Sequence, residues 1–194
     1  MTSVRQQNFL LRKEKILAMA ETLLLDNNQD ITLSELATEL DIAKGTIYKH
    51  FKSKNQLYLE LIILNETRLL EISQKHNNDI KTYVSEYMLY NMLNSNRTIL
   101  LHVIEERLTN NERKLKELFE KLYQIREQRI IEIKDMTSDY LKSLDSAMSI
   151  RDYLSYVWTV TYGASLLLNS THYQKSIGSR ERLIKLYVNQ ALMT

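Results

Sequence analysis

The chain contains no proline, and only three of its 194 residues are glycine. Sheets depend on tight turns, and tight turns usually need both residue types. Apolar residues instead recur at steps of three and four, which is the spacing of an amphipathic helix. The sequence therefore predicts an all-α fold.

Composition and charge narrow the class of protein further. Cysteine is absent, which excludes disulfides, thiol catalysis and thiolate metal sites. The first residues lack the apolar segment of a signal peptide, and no apolar run approaches the roughly 18 residues that span a bilayer. We therefore expect a soluble cytoplasmic protein with no membrane partner. The net charge of +2 does not by itself indicate a nucleic-acid partner, because only local clustering of charge can do so.

Apolar periodicity and polar breaks divide the chain into about nine predicted helices. They lie near residues 4–26, 33–40, 44–51, 54–76, 80–94, 97–108, 110–142, 149–169 and 178–192. Capping boxes, in which a hydroxyl and a side chain three residues later satisfy helix N-terminal amides, support four of the starts. These are Thr32–Glu35, Ser53–Gln56, Thr109–Glu112 and Ser149–Asp152.

The most distinctive segment is a short helix, a turn of about four residues and a lysine-rich helix. Residues 44–54 contain four lysines and one histidine but no acid: Lys44, Lys49, Lys52, Lys54 and His50. Ile47 and Phe51 supply apolar anchors on the opposite face. A short cationic helix after a turn suits the major groove of DNA. The alternative is that the lysines form the solvated charged face of an ordinary pair of helices. That alternative does not explain why apolar anchors alternate with cationic residues along this segment.

A set of residues in this segment matches a known pattern. The matching residues are Thr32, Leu33, Leu36, Ala37, Ile42, Gly45, Thr46, Ile47, Tyr48, His50, Phe51, Ser53, Lys54 and Leu57. With them the chain closely resembles the tetracycline-repressor (TetR) family of transcriptional regulators over about residues 9–60. The resemblance implies a three-helix DNA-binding domain at residues 1–53. It also implies a larger effector-binding and dimerisation domain at residues 54–194, with helix 4 as the connector.

Side-chain chemistry and the resemblance together predict the DNA-binding residues. They are Thr32, Lys44, Gly45, Thr46, Tyr48, Lys49, His50 and Lys54. Lys44 and Lys49 reach far enough for guanine edges or phosphates, and Thr46 can present a methyl or a hydroxyl to a base. Gly45 lets the backbone approach DNA closely. Tyr48, His50 and Lys54 are expected to hold phosphates.

Two residues depart from the family pattern. Asp41 stands where the turn usually has glycine, and Asp tolerates left-handed backbone better than most residues. Ala43 stands where a serine or threonine usually caps helix 3, and a lost cap costs about 0.5–2 kcal/mol of stability. Both departures are expected to weaken or redirect DNA binding without changing the class of protein.

Aromatic residues of the C-terminal part are candidates for an effector pocket. The candidates are Tyr87, Tyr90, His102, Trp158 and Tyr162. Such stripes more often form core or interface, so that alternative stays open. The mixture of tyrosine, leucine and methionine favours an apolar or aromatic small molecule.

The last two long helices carry more apolar surface than one core needs. The candidate dimer-interface residues are Tyr153, Val157, Val160, Ala164, Leu167, Leu183, Leu186 and Tyr187. A helix with two apolar faces needs two partners, and one can belong to another subunit. The resemblance likewise implies a homodimer sealed by a four-helix bundle.

Catalytic patterns are weak. His102 lies near Glu105 and Glu106 in sequence, but a single histidine at helical spacing from carboxylates is weak evidence for a metal or an acid–base pair. Glycine-rich phosphate loops and nucleophile elbows are missing. We therefore expect no enzyme activity, no catalytic residue, no metal and no cofactor.

These patterns predict a ligand-responsive repressor that binds a palindromic operator as a homodimer and is released by a small-molecule effector. One alternative is a helical protein-interaction module whose degenerate helix-turn-helix no longer binds specific DNA. A helical enzyme that uses an aromatic cavity is a second alternative, although the catalytic pair that it needs is not evident.

Overall fold

A computed structural model describes residues 3–27, 30–111, 113–176 and 178–192. Over these residues the chain forms ten α-helices, one 3-10 helix and no strand, which confirms the all-α prediction. The α-helices are α1 (Val4–Asn27), α2 (Leu33–Glu39), α3 (Lys44–Tyr48), α4 (Lys54–Lys75), α5 (Ile80–Leu93), α6 (Ser95–Asn111), α7 (Lys116–Ser143), α8 (Ile150–Asn169), α9 (Thr171–Ser176) and α10 (Arg180–Ala191).

The first three helices pack around a small apolar core that orients α3. Ile16 and Leu24 of α1, Leu36 of α2 and Ile47 of α3 are all at most 1% exposed. The start of α2 is fixed by the predicted capping box at Thr32. The Glu35 amide donates to the Thr32 hydroxyl at 3.1 Å, and the Thr32 amide donates to the Glu35 carboxylate at 2.8 Å.

The apolar core of the N-terminal helices continues into the C-terminal half. Leu57 of α4, Ile104 of α6 and Leu122 of α7 belong to the same cluster of buried residues as Ile47 and Leu36. A second core lies among α5, α7, α8 and α10. Helix α4 therefore contributes to both cores, with Leu57 in the first and Leu69 in the second, whereas the division into domains at residues 53 and 54 stays a prediction.

The prediction of one helix over residues 110–142 is wrong at its start. Helix α6 continues to residue 111, a 3-10 helix spans Arg113–Leu115, and α7 begins at Lys116. The predicted capping residue Thr109 lies inside α6, where its hydroxyl donates to the Glu105 carbonyl at 3.0 Å. Threonine in a helix often bonds back in this way instead of capping. Glu112 of the predicted capping box lies outside the described residues.

Other helix ends follow the predictions with local changes. Helix α3 ends at Tyr48, earlier than predicted, because the Lys49 and His50 amides bond to carbonyls three residues back. Ser53 caps α4, but the predicted capping box is not completed. The side-chain oxygen of Gln56 accepts from the Lys52 amide and not from the Ser53 amide. The box at Ser149–Asp152 forms as predicted. The short helix α9 was not predicted.

Candidate nucleic-acid interface and effector cavities

Helix α3 is buried on one face and open on the other. Ile47 and the following Phe51 are completely buried, whereas Lys44, Tyr48 and Lys49 are exposed and Thr46 is partly exposed. A Cβ placed on Gly45 would meet no atom within 4 Å, so the space in front of the first turn is open. The structure therefore places most of the predicted DNA-binding side chains on one accessible surface without an acid on α3.

The two unusual residues of the turn behave as their chemistry predicts. Asp41 has a φ of 50°, in the left-handed region where glycine is preferred. Ala43 is the N-cap of α3 and provides no side-chain hydrogen bond. The turn is closed by backbone bonds instead, including one from the Ile42 amide to the Ala37 carbonyl at 3.0 Å.

His50 connects α3 to α1 through a ring stack. Its imidazole stacks on the Phe9 ring with a centroid distance of 4.1 Å and an angle of 29° between the ring planes. Burial lowers the pKa of His50, and the charges of Arg12 and Lys13 lower it further. His50 is therefore neutral at pH 7. Phe9 is 47% exposed and lines a surface depression together with Thr46, Lys49 and His50.

Lys54 lies at the start of α4 and already has an anionic partner. Its ammonium donates to the Asp30 carboxylate at 3.0 Å. Arg107 of α6 approaches the same carboxylate at 3.3 Å, and the buried Tyr58 donates its hydroxyl to it at 3.1 Å. Burial raises the pKa of Asp30, but the hydrogen bond from Lys54 and the charge of Arg107 outweigh burial and hold that pKa below its usual range. The eighth predicted residue, Thr32, is engaged in the cap of α2.

A cavity of about 670 Å³ lies among α5, α7 and α8. It is lined by Tyr83, Tyr87, Arg129, Ile130, Ile133, Lys134, Ile150, Arg151, Leu154, Ser155, Val157, Trp158 and Thr159. The volume falls in the range of typical small-molecule sites. Two of the five predicted pocket residues, Tyr87 and Trp158, line this cavity. The sequence did not indicate its three cationic residues, which are Arg129, Lys134 and Arg151. They lie on two helices and form no regular pattern in the sequence.

A second cavity of about 440 Å³ adjoins the first at Tyr87, Arg129 and Trp158. His102 and Tyr162 line it, with their rings edge to face at 4.8 Å. Trp158 and Tyr162 stack at 5.4 Å with nearly parallel planes. Four of the five predicted pocket residues thus meet around the two cavities.

The fifth predicted pocket residue, Tyr90, lines neither cavity. Its hydroxyl donates to the Asn65 side chain at 3.0 Å, and the Arg97 guanidinium lies over its ring at 4.5 Å. Tyr90 therefore joins α5 to α4 and α6.

Paired charges form one wall of the second cavity. Arg126 of α7 donates two hydrogen bonds to Glu105 of α6 at 2.6 and 2.8 Å, and its Nε donates to Glu66 of α4 at 3.1 Å. Burial alone lowers the pKa of the Arg126 guanidinium, but the two carboxylates raise it above its ordinary value. Arg126 therefore stays charged and joins three helices.

Helix α6 contacts both the second cavity and the N-terminal helices. Its residues Leu101, His102 and Glu105 line the cavity. At other positions on the same helix, Arg97 lies 3.4 Å from Glu21 of α1, and Arg107 pairs with Asp30 before α2. A displacement of α6 at the cavity would therefore act directly on the helices that hold α3.

The predicted dimer-interface residues fall into three groups. Tyr153, Val157 and Ala164 are buried in the second core of the chain itself. Four others are partly buried: Val160, Leu167, Leu183 and Tyr187. Leu186 of α10 is 51% exposed, and Leu166 of α8 is 46% exposed. Helices α8 and α10 thus each leave a leucine about half exposed, and Trp158 of α8 is exposed to a similar extent.

No helix within the described ranges has the length and apolarity to cross a membrane. Nor do the histidines and carboxylates of these ranges come together in a group of three or more that could hold a metal ion.

The packing of α1 to α3 and the open surface of α3 together form a helix-turn-helix, and a larger helical part follows it. Residues 16–61 match the sequence profile of the bacterial regulatory proteins of the tetR family. The HTH-type transcriptional regulator QacR of Staphylococcus aureus is 34% identical over 82 residues, which are 42% of this chain and 44% of QacR. Over these residues the chain is similar to DNA-binding transcriptional regulators of the tetR family. The aligned segment spans less than half the length of QacR.

Proposed function

We propose that the protein is a repressor that binds a palindromic operator as a homodimer and is released by a small-molecule effector. The observation that carries this proposal is the exposed face of α3, where Lys44, Thr46, Tyr48 and Lys49 are accessible above the buried Ile47. A two-fold dimer would present two such helices to successive major grooves, which explains why the operator should be palindromic.

The dimer is proposed to form through α8 and α10. The two helices pack against each other and expose Leu166 and Leu186. Large exposed aliphatic side chains on adjacent helices favour burial against another subunit. The two-fold copy of the same helix pair would complete a four-helix bundle.

Release by the effector is proposed to act through α6. An effector in the cavities would contact Tyr87 and Trp158, and His102 of α6 borders the same space. The pairs of Arg97 with Glu21 and of Arg107 with Asp30 would carry a shift of α6 to the N-terminal helices. The effector can change DNA affinity only by its differential affinity for the two arrangements.

The protein is proposed to act in the cytoplasm, where its operator would be, and to function without catalysis or a cofactor. The proposed partners are double-stranded DNA, an apolar or aromatic effector and a second copy of the chain. The paired state of Glu105 with Arg126 supports the non-enzymatic role, because an ion-paired carboxylate is a poor general base.

Selection of genomic DNA fragments on the purified protein tests the proposal. We expect a palindromic consensus whose half-sites lie about one helical turn apart, or a small multiple of it. Fluorescence-polarisation titrations should then give an affinity for this consensus at least about a thousandfold higher than for random duplex. A single, non-repeated half-site would contradict the dimeric reading.

The second candidate is a protein-interaction module that no longer binds specific DNA. The uncapped Ala43 and the left-handed Asp41 favour it, because both reduce the local stability of the turn before α3. The same titrations distinguish the two functions. Weak binding that falls with salt and is equal for all duplexes would favour the interaction module.

A further inference from the structure

The larger cavity combines apolar walls with cationic side chains. Ile133 of α7 and Leu154 and Val157 of α8 form apolar walls. Arg129 and Lys134 of α7 and Arg151 of α8 also line the cavity, whereas none of its lining residues is an aspartate or a glutamate. This is an unusual balance for a chain with nearly equal numbers of acids and bases.

The three cations are not equally available. Arg129 is already compensated, because its Nη2 lies 3.5 Å from the Glu66 carboxylate. Lys134 and Arg151 are exposed, and within the described ranges neither has an ion-pair partner. The neighbouring acid Asp152 is engaged in the cap of α8, where it accepts from the Ser149 hydroxyl at 2.6 Å. The cavity lining therefore carries about two positive charges without an ion-pair partner in the described ranges.

Neutral tyrosine hydroxyls add donors to the same cavity. Burial raises the pKa of Tyr83 to about 12, although the charge of Arg129 partly offsets this. Burial likewise raises the pKa of Tyr87. Both hydroxyls therefore keep their protons at pH 7 and can donate hydrogen bonds to an anionic group.

The second cavity has a different character. Three carboxylates line it (Glu66, Glu105 and Glu106), but so do Arg126 and Arg129, and the first two carboxylates are ion-paired with these arginines. Uncompensated charge of one sign is thus concentrated at the larger cavity. An ionic ligand with an apolar body would gain most by placing a negative group there.

We propose that the larger cavity binds a free organic anion with an apolar body, of the medium-chain carboxylate class. The carboxylate pairs with Lys134 and Arg151, and the apolar chain lies along Ile133, Leu154 and Val157. The inference deepens the proposed function, because it names the class of the effector. Ligand binding can nevertheless be measured without DNA.

The single tryptophan of the chain, Trp158, lines this cavity and supplies the signal. Its fluorescence is titrated with three probes that share one alkyl tail: decanoate, decanol and decyltrimethylammonium, each kept below its micellar concentration. We expect decanoate to bind at least about tenfold more tightly than decanol, since charge-assisted pairs add that much or more. The advantage should shrink as salt is added.

A charge-removing variant tests the assignment of the cations. Lys134→Gln/Arg151→Gln should lose most of the preference for decanoate and keep its affinity for decanol. The matched control is Lys121→Gln/Lys142→Gln, which changes two exposed lysines of α7 that do not line the cavity. The control should bind all three probes as the unchanged protein does.

Three results would overturn the inference. They are equal or tighter binding of decyltrimethylammonium, unchanged decanoate affinity in Lys134→Gln/Arg151→Gln, and no Trp158 response to any probe. A separate DNA titration with and without decanoate tests the proposed function. Decanoate that binds with the expected preference but leaves DNA affinity unchanged supports the ligand class and contradicts release by this ligand.

Discussion

No side chain caps the first turn of α3. The N-cap residue Ala43 is exposed and its methyl group accepts no hydrogen bond, whereas serine at this position could accept from an amide of the first turn. We expect Ala43→Ser to raise the free energy of unfolding by about 0.5–2 kcal/mol. Urea denaturation measures this change.

The control for this change is Ala18→Ser, at an exposed position inside α1. Serine is a poorer helix former than alanine, so this variant should lose a few tenths of a kcal/mol. If Ala43→Ser is no more stable than the unchanged protein, the geometry assigned to the turn is wrong.

Lys49 is exposed at the end of α3 and has no anionic partner in the described part of the chain. We expect Lys49→Ala to weaken operator binding by about 1–3 kcal/mol and to alter sequence preference if the ammonium reads a base. Lys54→Ala should have a smaller effect on DNA, because Asp30 already engages its ammonium. Polarisation titrations on operator and random duplex at several salt concentrations measure both effects.

Lys75→Ala is the matched control, because Lys75 is exposed in the last turn of α4, at the opposite end of that helix from α3. It should bind DNA as the unchanged protein does. A loss in Lys75→Ala equal to that in Lys49→Ala would mean that the effect reflects net charge alone.

At the scale of helices, Glu21 joins α1 to two others. Its carboxylate accepts from Arg68 of α4 at 2.7 and 2.9 Å and lies 3.4 Å from Arg97 of α6. Burial raises the pKa of Glu21, but the hydrogen bonds and charge of Arg68 outweigh it and leave the pKa below its ordinary 4.5. The ionised form is therefore favoured in the folded state.

This shift predicts a pH dependence of stability. The contribution of Glu21 is fully present above about pH 4.5 and is lost as pH falls through the lower folded-state pKa. We expect Glu21→Gln to be less stable than the unchanged protein at pH 7 and to lose less stability between pH 5 and about pH 3. Thermal unfolding across this range measures the difference, and parallel curves for the two proteins would refute the assigned role.

Local patterns in the sequence predicted some elements better than others. The caps at Thr32 and Ser149 form as predicted, because each depends on residues only three apart. The cluster of Asp30, Tyr58 and Arg107 could not be predicted from a local pattern, because Arg107 is 77 residues from Asp30 in the chain. Its geometry depends on how α4 and α6 pack.

Local spacing was also insufficient to assign the partners of the apolar faces of α8. Spacing alone placed Tyr153, Val157 and Ala164 on one face, but it could not indicate whether that face meets the chain's own helices or another subunit. The structure buries these three residues against α5 and α10 and leaves Leu166 exposed. Periodicity identifies an apolar face, whereas its partner is set by the tertiary fold.

For the whole molecule, the packing of α8 and α10 leaves exposed leucines, which the proposed dimer would bury. Leu166 and Leu186 are about half exposed in the single chain. In the proposed bundle both would be buried twice, once in each subunit. Burying one leucine side chain fully stabilises by about 1.5–3 kcal/mol. The proposed bundle would bury the exposed half of four such side chains, so together they would contribute substantially to the stability of the dimer.

We therefore expect Leu166→Glu/Leu186→Glu to weaken dimerisation at least a hundredfold, or about 3 kcal/mol. Each carboxylate would also have to leave water without a cationic partner. Sedimentation-velocity ultracentrifugation measures the dissociation constant, and operator affinity should fall with it because one α3 contacts only one half-site. Val103→Glu is the control, since Val103 is 55% exposed on α6, outside the proposed bundle. A dimer that survives the double change but dissociates in Val103→Glu would move the interface from α8 and α10 to α6.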